Sequence, residues 1–288
     1  MQKFIYILVL VLLSPGILAQ NGWMRNKGQT WSQLSFQQWQ SSTFYNGNGD
    51  VTETANSFHS SEWTLYSELG VSERFNLIIN APLLKTARFS STESASGMGD
   101  LRLEAKLKPF KGATPFAVQV GLEVPTGKSQ NIAYNLDRNL GFVNLPTGDG
   151  EWNFWLTSVY SKGITRWMYG TIHSAFNLRT SYLGNAFANQ LRSGVEVGFS
   201  PLKETWCILK FNSLVELTNN STSNDFLRQS GTNYNQYGIM VLSEIYKGFG
   251  ASVQLNGFTE YPAKLTNLYT SNYLSFGIFY HGRNVKSK

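Results

Sequence analysis

The sequence predicts an all-β fold, a transmembrane antiparallel up-and-down β-barrel of about 12 strands, and three observations carry that expectation. Of 288 residues, 15% are charged and 14% aromatic, whereas soluble domains carry roughly 25% charged residues. Beyond the first 20 residues no apolar run approaches the roughly 20 residues of a helical membrane span. Apolar and polar residues instead alternate with period two in segment after segment, and the connections between them alternate between short and long. Tight turns at one end and long loops at the other are the pattern of an outer-membrane barrel. A soluble sandwich has no reason to sort loop length by side.

The chain opens with Lys3, an apolar run from Phe4 to Leu13, a Ser-Pro-Gly break and Ile17-Leu18-Ala19. That pattern predicts a secretory signal peptide over 1–19, cut before Gln20, with residues 20–288 forming a single barrel domain. Loss of Lys3 takes the 24 basic residues to 23 against 18 acidic, a charge of +5. Cys207 is the sole cysteine, so an exported chain is held here without an intrachain disulfide.

The hairpin between Gly97 and Gly127 is the clearest element. Leu101, Leu103, Ala105 and Leu107 alternate with Arg102, Glu104 and Lys106, and after a Lys-Pro-Gly turn Phe116, Val118, Val120, Leu122 and Val124 alternate with Gln119 and Glu123. Turning Arg102 or Lys106 toward a bilayer midplane would cost about 2–4 kcal/mol each. The register is therefore fixed, with the apolar face outward.

The same reading places strands at about 31–39, 59–69, 75–82, 99–107, 115–125, 151–160, 166–178, 190–199, 205–217, 236–246, 250–258 and 272–281. Most approach the 9–11 residues a tilted strand needs to cross a bilayer. Turns fall at 70–74, 108–114, 161–165, 200–204 and 247–249, and long polar loops at 40–58, 83–98, 126–150, 179–189, 218–235 and 259–271. An even strand count puts both termini on the turn side. Parity sends Trp63, Leu77, Phe154, Ile172, Val195, Leu209, Ile239, Val253 and Phe276 outward, with Trp152, Tyr160, Tyr237 and Tyr280 near strand ends as interfacial girdles. Every mid-strand charge falls inward. The candidate lumen-lining residues are Arg102, Glu104, Lys106, Glu123, Arg192, Glu196, Lys210, Glu216 and Glu244. Twelve strands lie between the roughly eight whose side chains fill the interior and the 16 that leave a water channel, so a plugged and a conducting lumen both stay open.

Other chemistries find little support. GLEVPTGKS (Gly121 to Ser129) has five residues between its glycines, where a phosphate-binding loop needs four, and no amphipathic helix follows. His173 and Ser174 are adjacent, so they point to opposite faces of a strand and cannot share a proton; no catalytic residue is expected. One cysteine and three scattered histidines (His59, His173, His281) match no metal-ligand spacing, Asp149 reads as a turn carboxylate, and no cofactor is expected. Basic residues form no stripe, which argues against nucleic acid.

Five segments in order, GWMRNKGQTWSQLS, YSELGVSERFNLIINAPL, GMGDLRLEAKLKPF, VGLEVPTG and LPTGDGEWNFWL, resemble a family of Gram-negative outer-membrane barrels named for the MetA pathway of phenol degradation. That family is related to the fatty-acid transporter type of barrel. The resemblance implies passive transport of small hydrophobic or aromatic molecules. Two departures stand out: only about ten residues precede the first strand, where the fatty-acid transporters carry a hatch of several tens, and the chain ends in HGRNVKSK and not in an aromatic residue. The expected partners are outer-membrane lipid and lipopolysaccharide, a small-molecule solute, and the barrel-assembly machinery. The loops, 126–150 above all, are expected to control access. A closed barrel whose loops bind a partner is the alternative, and a lipid-modifying barrel enzyme a third.

Overall fold

The computed structural model describes residues 21–112, 114–202, 204–217 and 226–282. The expected signal peptide and the residues after Gly282 lie outside the described residues. Twelve strands form the barrel wall: β1 Thr30–Tyr45, β2 Val51–Ser72, β3 Phe75–Phe89, β4 Leu101–Leu107, β5 Phe116–Val124, β6 Asn153–Thr165, β7 Met168–Arg179, β8 Gln190–Leu202, β9 Thr205–Glu216, β10 Tyr234–Tyr246, β11 Phe249–Phe258 and β12 Tyr273–Gly282. Each pairs antiparallel with its chain neighbours, and β1 pairs with both β2 and β12, which closes the ring. Closure satisfies every ladder hydrogen bond and removes the open edge that lipid cannot tolerate.

All 12 expected strands are present, and the register keeps the expected faces. Leu103 pairs with Leu122 and Ile79, while Arg102 pairs with Glu123 and Asn80. Leu77, Ile79, Leu103, Val120, Phe154, Leu156, Ile172, Val195, Leu209, Ile239 and Phe276 are exposed on the outside, a band no water-soluble protein would present.

Two expected loops are corrected. Much of 40–58 and 83–98 is strand: β1, β2 and β3 run for 16, 22 and 15 residues and stand above the apolar band. Phe44 still pairs with Thr52 and Tyr45 with Val51, and Ala95–Gly97 pairs with β3. Above the band both faces meet polar surroundings, so Ser, Thr and Gln can pair without any apolar alternation to betray the strand. Within 126–150 a small hairpin, Ile132–Tyr134 with Phe142–Asn144, brackets a 3₁₀ turn at Arg138–Leu140.

The interior is packed at both ends. At the turn end, inward Trp31, Tyr169, Ile208, Leu242 and Phe279 form an apolar floor with Tyr66, Trp206 and Met240 against it. At the loop end, Phe58, Ala87, Ala95, Ala133, Leu145 and Tyr269 form a roof with Trp39, Phe44, Phe89 and Phe226.

Candidate functional site

The residues ahead of β1 complete the floor. Trp23 meets Tyr169 edge to face at 5.5 Å, Arg25 stands over Trp31 at 5.7 Å, and the Gly22 amide donates to Ser161 Oγ at 2.8 Å. Gly22 must be glycine here, because a Cβ would collide with the Pro115 carbonyl. Above them Glu68 accepts from Lys106 Nζ at 2.9 Å, Asn76 Nδ2 at 2.7 Å and Arg25 Nε at 3.3 Å. Glu68 and Lys106 are almost wholly buried. Charges so deep are tolerable only when paired and hydrogen-bonded.

Between floor and roof lies a cavity of about 350 Å³, lined by Arg102, Glu104, Arg192, Glu196 and Lys210 together with Gln33, Tyr66, Gln119, His173, Asn212 and Gln254. A neighbouring cavity of about 300 Å³ shares Gln33, Ser35, Thr64, Met240 and Gln254 with it and continues to Glu62 and Tyr273. Arg102 and Glu104 pair at 2.7 Å, and Lys210 lies 3.7 Å from Glu196. The Tyr169 hydroxyl donates to Glu196 at 2.9 Å. Arg102 and Arg192 both stand over the Trp155 indole, at 4.2 and 5.3 Å.

Five of the nine expected lumen residues thus line one cavity. The other four lie elsewhere: Lys106 in the floor, Glu123 higher up accepting from Trp155 Nε1 at 3.2 Å, Glu216 at the loop end accepting from the Gly231 amide at 2.6 Å, and Glu244 at the turn end accepting from the Gly248 amide at 2.9 Å. His173 faces the cavity, and Ser174 faces outward beside Ser193 at 3.4 Å, so they cannot act as a pair. Sequence reasoning passed over Trp155, Gln33, Tyr66 and Asn212. Trp155 carried a usable signal: it shares the parity of inward Asn153, one residue from outward Phe154.

Three of the five resembling motifs, those that contain Asp100, Gly127 and Gly148, meet at the loop end. The Asp100 carboxylate accepts from the amides of Gly127 at 2.8 Å and Asp149 at 2.6 Å, which ties the two Pro-Thr-Gly turns, 125–127 and 146–148, to the start of β4. A Cβ on Gly127 would lie 2.6 Å from the Gly148 Cα, so only glycine lets the turns approach. Asp100, Glu123 and Asp149 offer carboxylate oxygens within 4.8 Å of one another, a grouping that residue spacing does not announce. With both Asp100 oxygens on main-chain donors and Arg179 at 3.6 Å from Asp149, the cluster works as a turn clasp.

Arg179 extends the clasp. Its Nε donates to Glu151, and its Nη atoms donate to the carbonyls of Arg228 at 2.8 Å and Gln229 at 3.1 Å. That holds Phe226 against Phe44, Phe58, Phe89 and Tyr269, with ring centroids 5.1–6.5 Å away. Burial pushes the Glu151 carboxyl up to about 7 despite Arg179, and raises that of Asp149 well above its ordinary value.

A closed 12-stranded barrel with a charged interior and an apolar outer band is the architecture of outer-membrane barrels. Comparison with solved structures agrees with this fold. The chain is similar to the COG4313 outer membrane channel from Pseudomonas putida F1 (14% identity, 92% of this chain and 100% of that one, TM-score 0.64). It is also similar to the translocator domain of the autotransporter NalP from Neisseria meningitidis (10% identity, 90% and 89%, TM-score 0.52) and to the NanC porin (9% identity, 86% and 98%, TM-score 0.50). No protein-family model matches the chain, and no curated protein sequence matches it.

Proposed function

We propose that the protein is an outer-membrane channel of a Gram-negative bacterium that passes small molecules passively, without chemistry or cofactor. The observation that carries this reading is the pair of adjoining polar cavities inside a closed barrel, bounded by apolar clusters at both ends. The outer band sits in lipid and lipopolysaccharide, the turn end faces the periplasm, and insertion relies on the barrel-assembly machinery. Aromatic rings at both constrictions suit the small hydrophobic or aromatic solutes that the resembling motifs imply.

The two apolar clusters favour a gated path over a standing pore. Single-channel recording of refolded protein in a planar bilayer tests the reading. Brief, discrete openings that lengthen when residues 21–29 are removed are expected. Permanent silence from folded protein, with and without that segment, would leave the closed structural barrel.

A further inference from the structure

The charge pattern of the cavity assigns it a ligand class. Three cations line it, Arg102, Arg192 and Lys210, against two carboxylates, Glu104 and Glu196. Glu104 lies 2.7 Å from Arg102, while Glu196 lies 3.7 Å from Lys210 and accepts the Tyr169 hydroxyl. Arg192 forms no ion pair within 4 Å among the described residues, and its Nε is buried without a hydrogen-bond acceptor. The next carboxylate up, Glu123, is engaged by Trp155 Nε1 and Asn153 Nδ2.

The wall also brings the two guanidiniums together. Gly121 pairs with Trp155 on one side and Glu104 on the other. A Cβ at Gly121 would lie 3.3 Å from the Trp155 Cβ and 3.6 Å from Arg102 Nε, so the glycine leaves the room in which the indole carries both arginines. Glu104 pairs with Arg102 and Glu123 stands near both guanidiniums, but no carboxylate lies within 4 Å of Arg192 among the described residues, and its buried Nε is left without an acceptor. A guanidinium fork fits a planar carboxylate better than any other small anion of charge −1.

We propose that this cavity is a binding site for an aromatic monocarboxylate, held by Arg192 through its carboxylate with the ring against Tyr66, Ile78 and Met240. Its volume of about 350 Å³ lies within the roughly 300–1,000 Å³ of small-ligand sites. The inference deepens the channel reading, on which it rests for the ligand's route, but binding is measured apart from passage.

The test is isothermal titration of the folded protein in detergent with benzoate, benzyl alcohol and acetate. Benzoate is expected to bind, benzyl alcohol and acetate at least tenfold more weakly, and rising potassium chloride to weaken benzoate. Arg192→Gln is expected to cost at least tenfold in benzoate affinity and Arg192→Lys less, both variants keeping the heat-modifiable mobility of a folded barrel. Equal binding of benzyl alcohol, absence of benzoate binding, or an unchanged affinity in folded Arg192→Gln would overturn the proposal. The ligand comparison in the unmodified protein decides the matter even where a variant fails to fold. Uptake of a neutral solute into proteoliposomes without benzoate binding would remove this site and leave the channel. Benzoate binding without any uptake would keep the site and remove the channel.

Discussion

The two ends of the barrel are closed by different means. The floor is built from the wall: Trp31, Tyr169, Ile208, Leu242 and Phe279 all sit on barrel strands, so their backbones cannot move without unzipping ladders. Only the segment from Asn21 to Gln29 could leave it. The roof is built largely from what the strands carry. Ala133, Leu145 and Phe226 lie on short connecting pieces tied down through the Asp100 clasp and Arg179, and Tyr269 on a two-residue strand paired with β1. Local opening draws on regions with few ladder hydrogen bonds. The roof is therefore the end that opens by local release, while at the floor only residues 21–29 can yield and the strand-borne ring around them holds the barrel in shape.

The largest effect that would break this comparison belongs to the floor. Glu68→Ala strands the buried Lys106 ammonium, and removing one partner of such a pair costs about 3–5 kcal/mol. Guanidinium unfolding followed by tryptophan fluorescence should show a lower midpoint for the whole barrel. An unfolding curve like that of the unmodified protein would mean that the floor contributes no more to global stability than a loop.

Phe226→Ala should act locally, on the roof and not on the whole barrel. Each aromatic edge contact contributes about 0.5–1.5 kcal/mol, and the ring touches Phe44, Phe58, Phe89 and Tyr269. Global unfolding should barely change, while bilayer openings become several times more frequent. A substitution at Phe226 that lowered the global midpoint as far as Glu68→Ala would erase the distinction between a fixed floor and a releasable roof.

The asymmetry between the ends also marks what could be read from residues alone. Lipid outside and a polar lumen inside force period two, so the strands, their faces and the closed ring were legible. The floor was less so, because inward apolar residues look like outward ones until parity is counted. Ile208 lies two residues from inward Lys210, and Leu242 two from inward Glu244, and that offset is the signal. Pairing above the apolar band, as at Phe44 with Thr52, leaves no hydrophobic rhythm. The roof was illegible for another reason: Asp100, Gly127 and Asp149 meet only in three dimensions. The cavity was half legible. Its charges were found by parity, but Trp155, which gathers two of them, passes for one more aromatic in a barrel full of them.

The smallest effect is the sharpest test of the roof, because the floor should not show it. Burial lifts Glu151 from an ordinary value of 4.5 to about 7, and Asp149 moves in the same direction. A carboxyl whose folded value is raised holds its proton more tightly in the closed roof than in the opened one. Its contribution is complete below the ordinary value and is lost as pH climbs from 4.5 through 7. Above that, two carboxylates share the single Arg179 guanidinium, and the clasp on 226–231 loosens. Limited proteolysis of that segment should accordingly be slower at pH 5.5 than at pH 8. Glu151→Gln should flatten most of the dependence and the double change with Asp149→Asn the rest. A roof that became more resistant with rising pH would show that Arg179 and a charged Glu151 form the stable arrangement, and that burial is not the dominant force at this end.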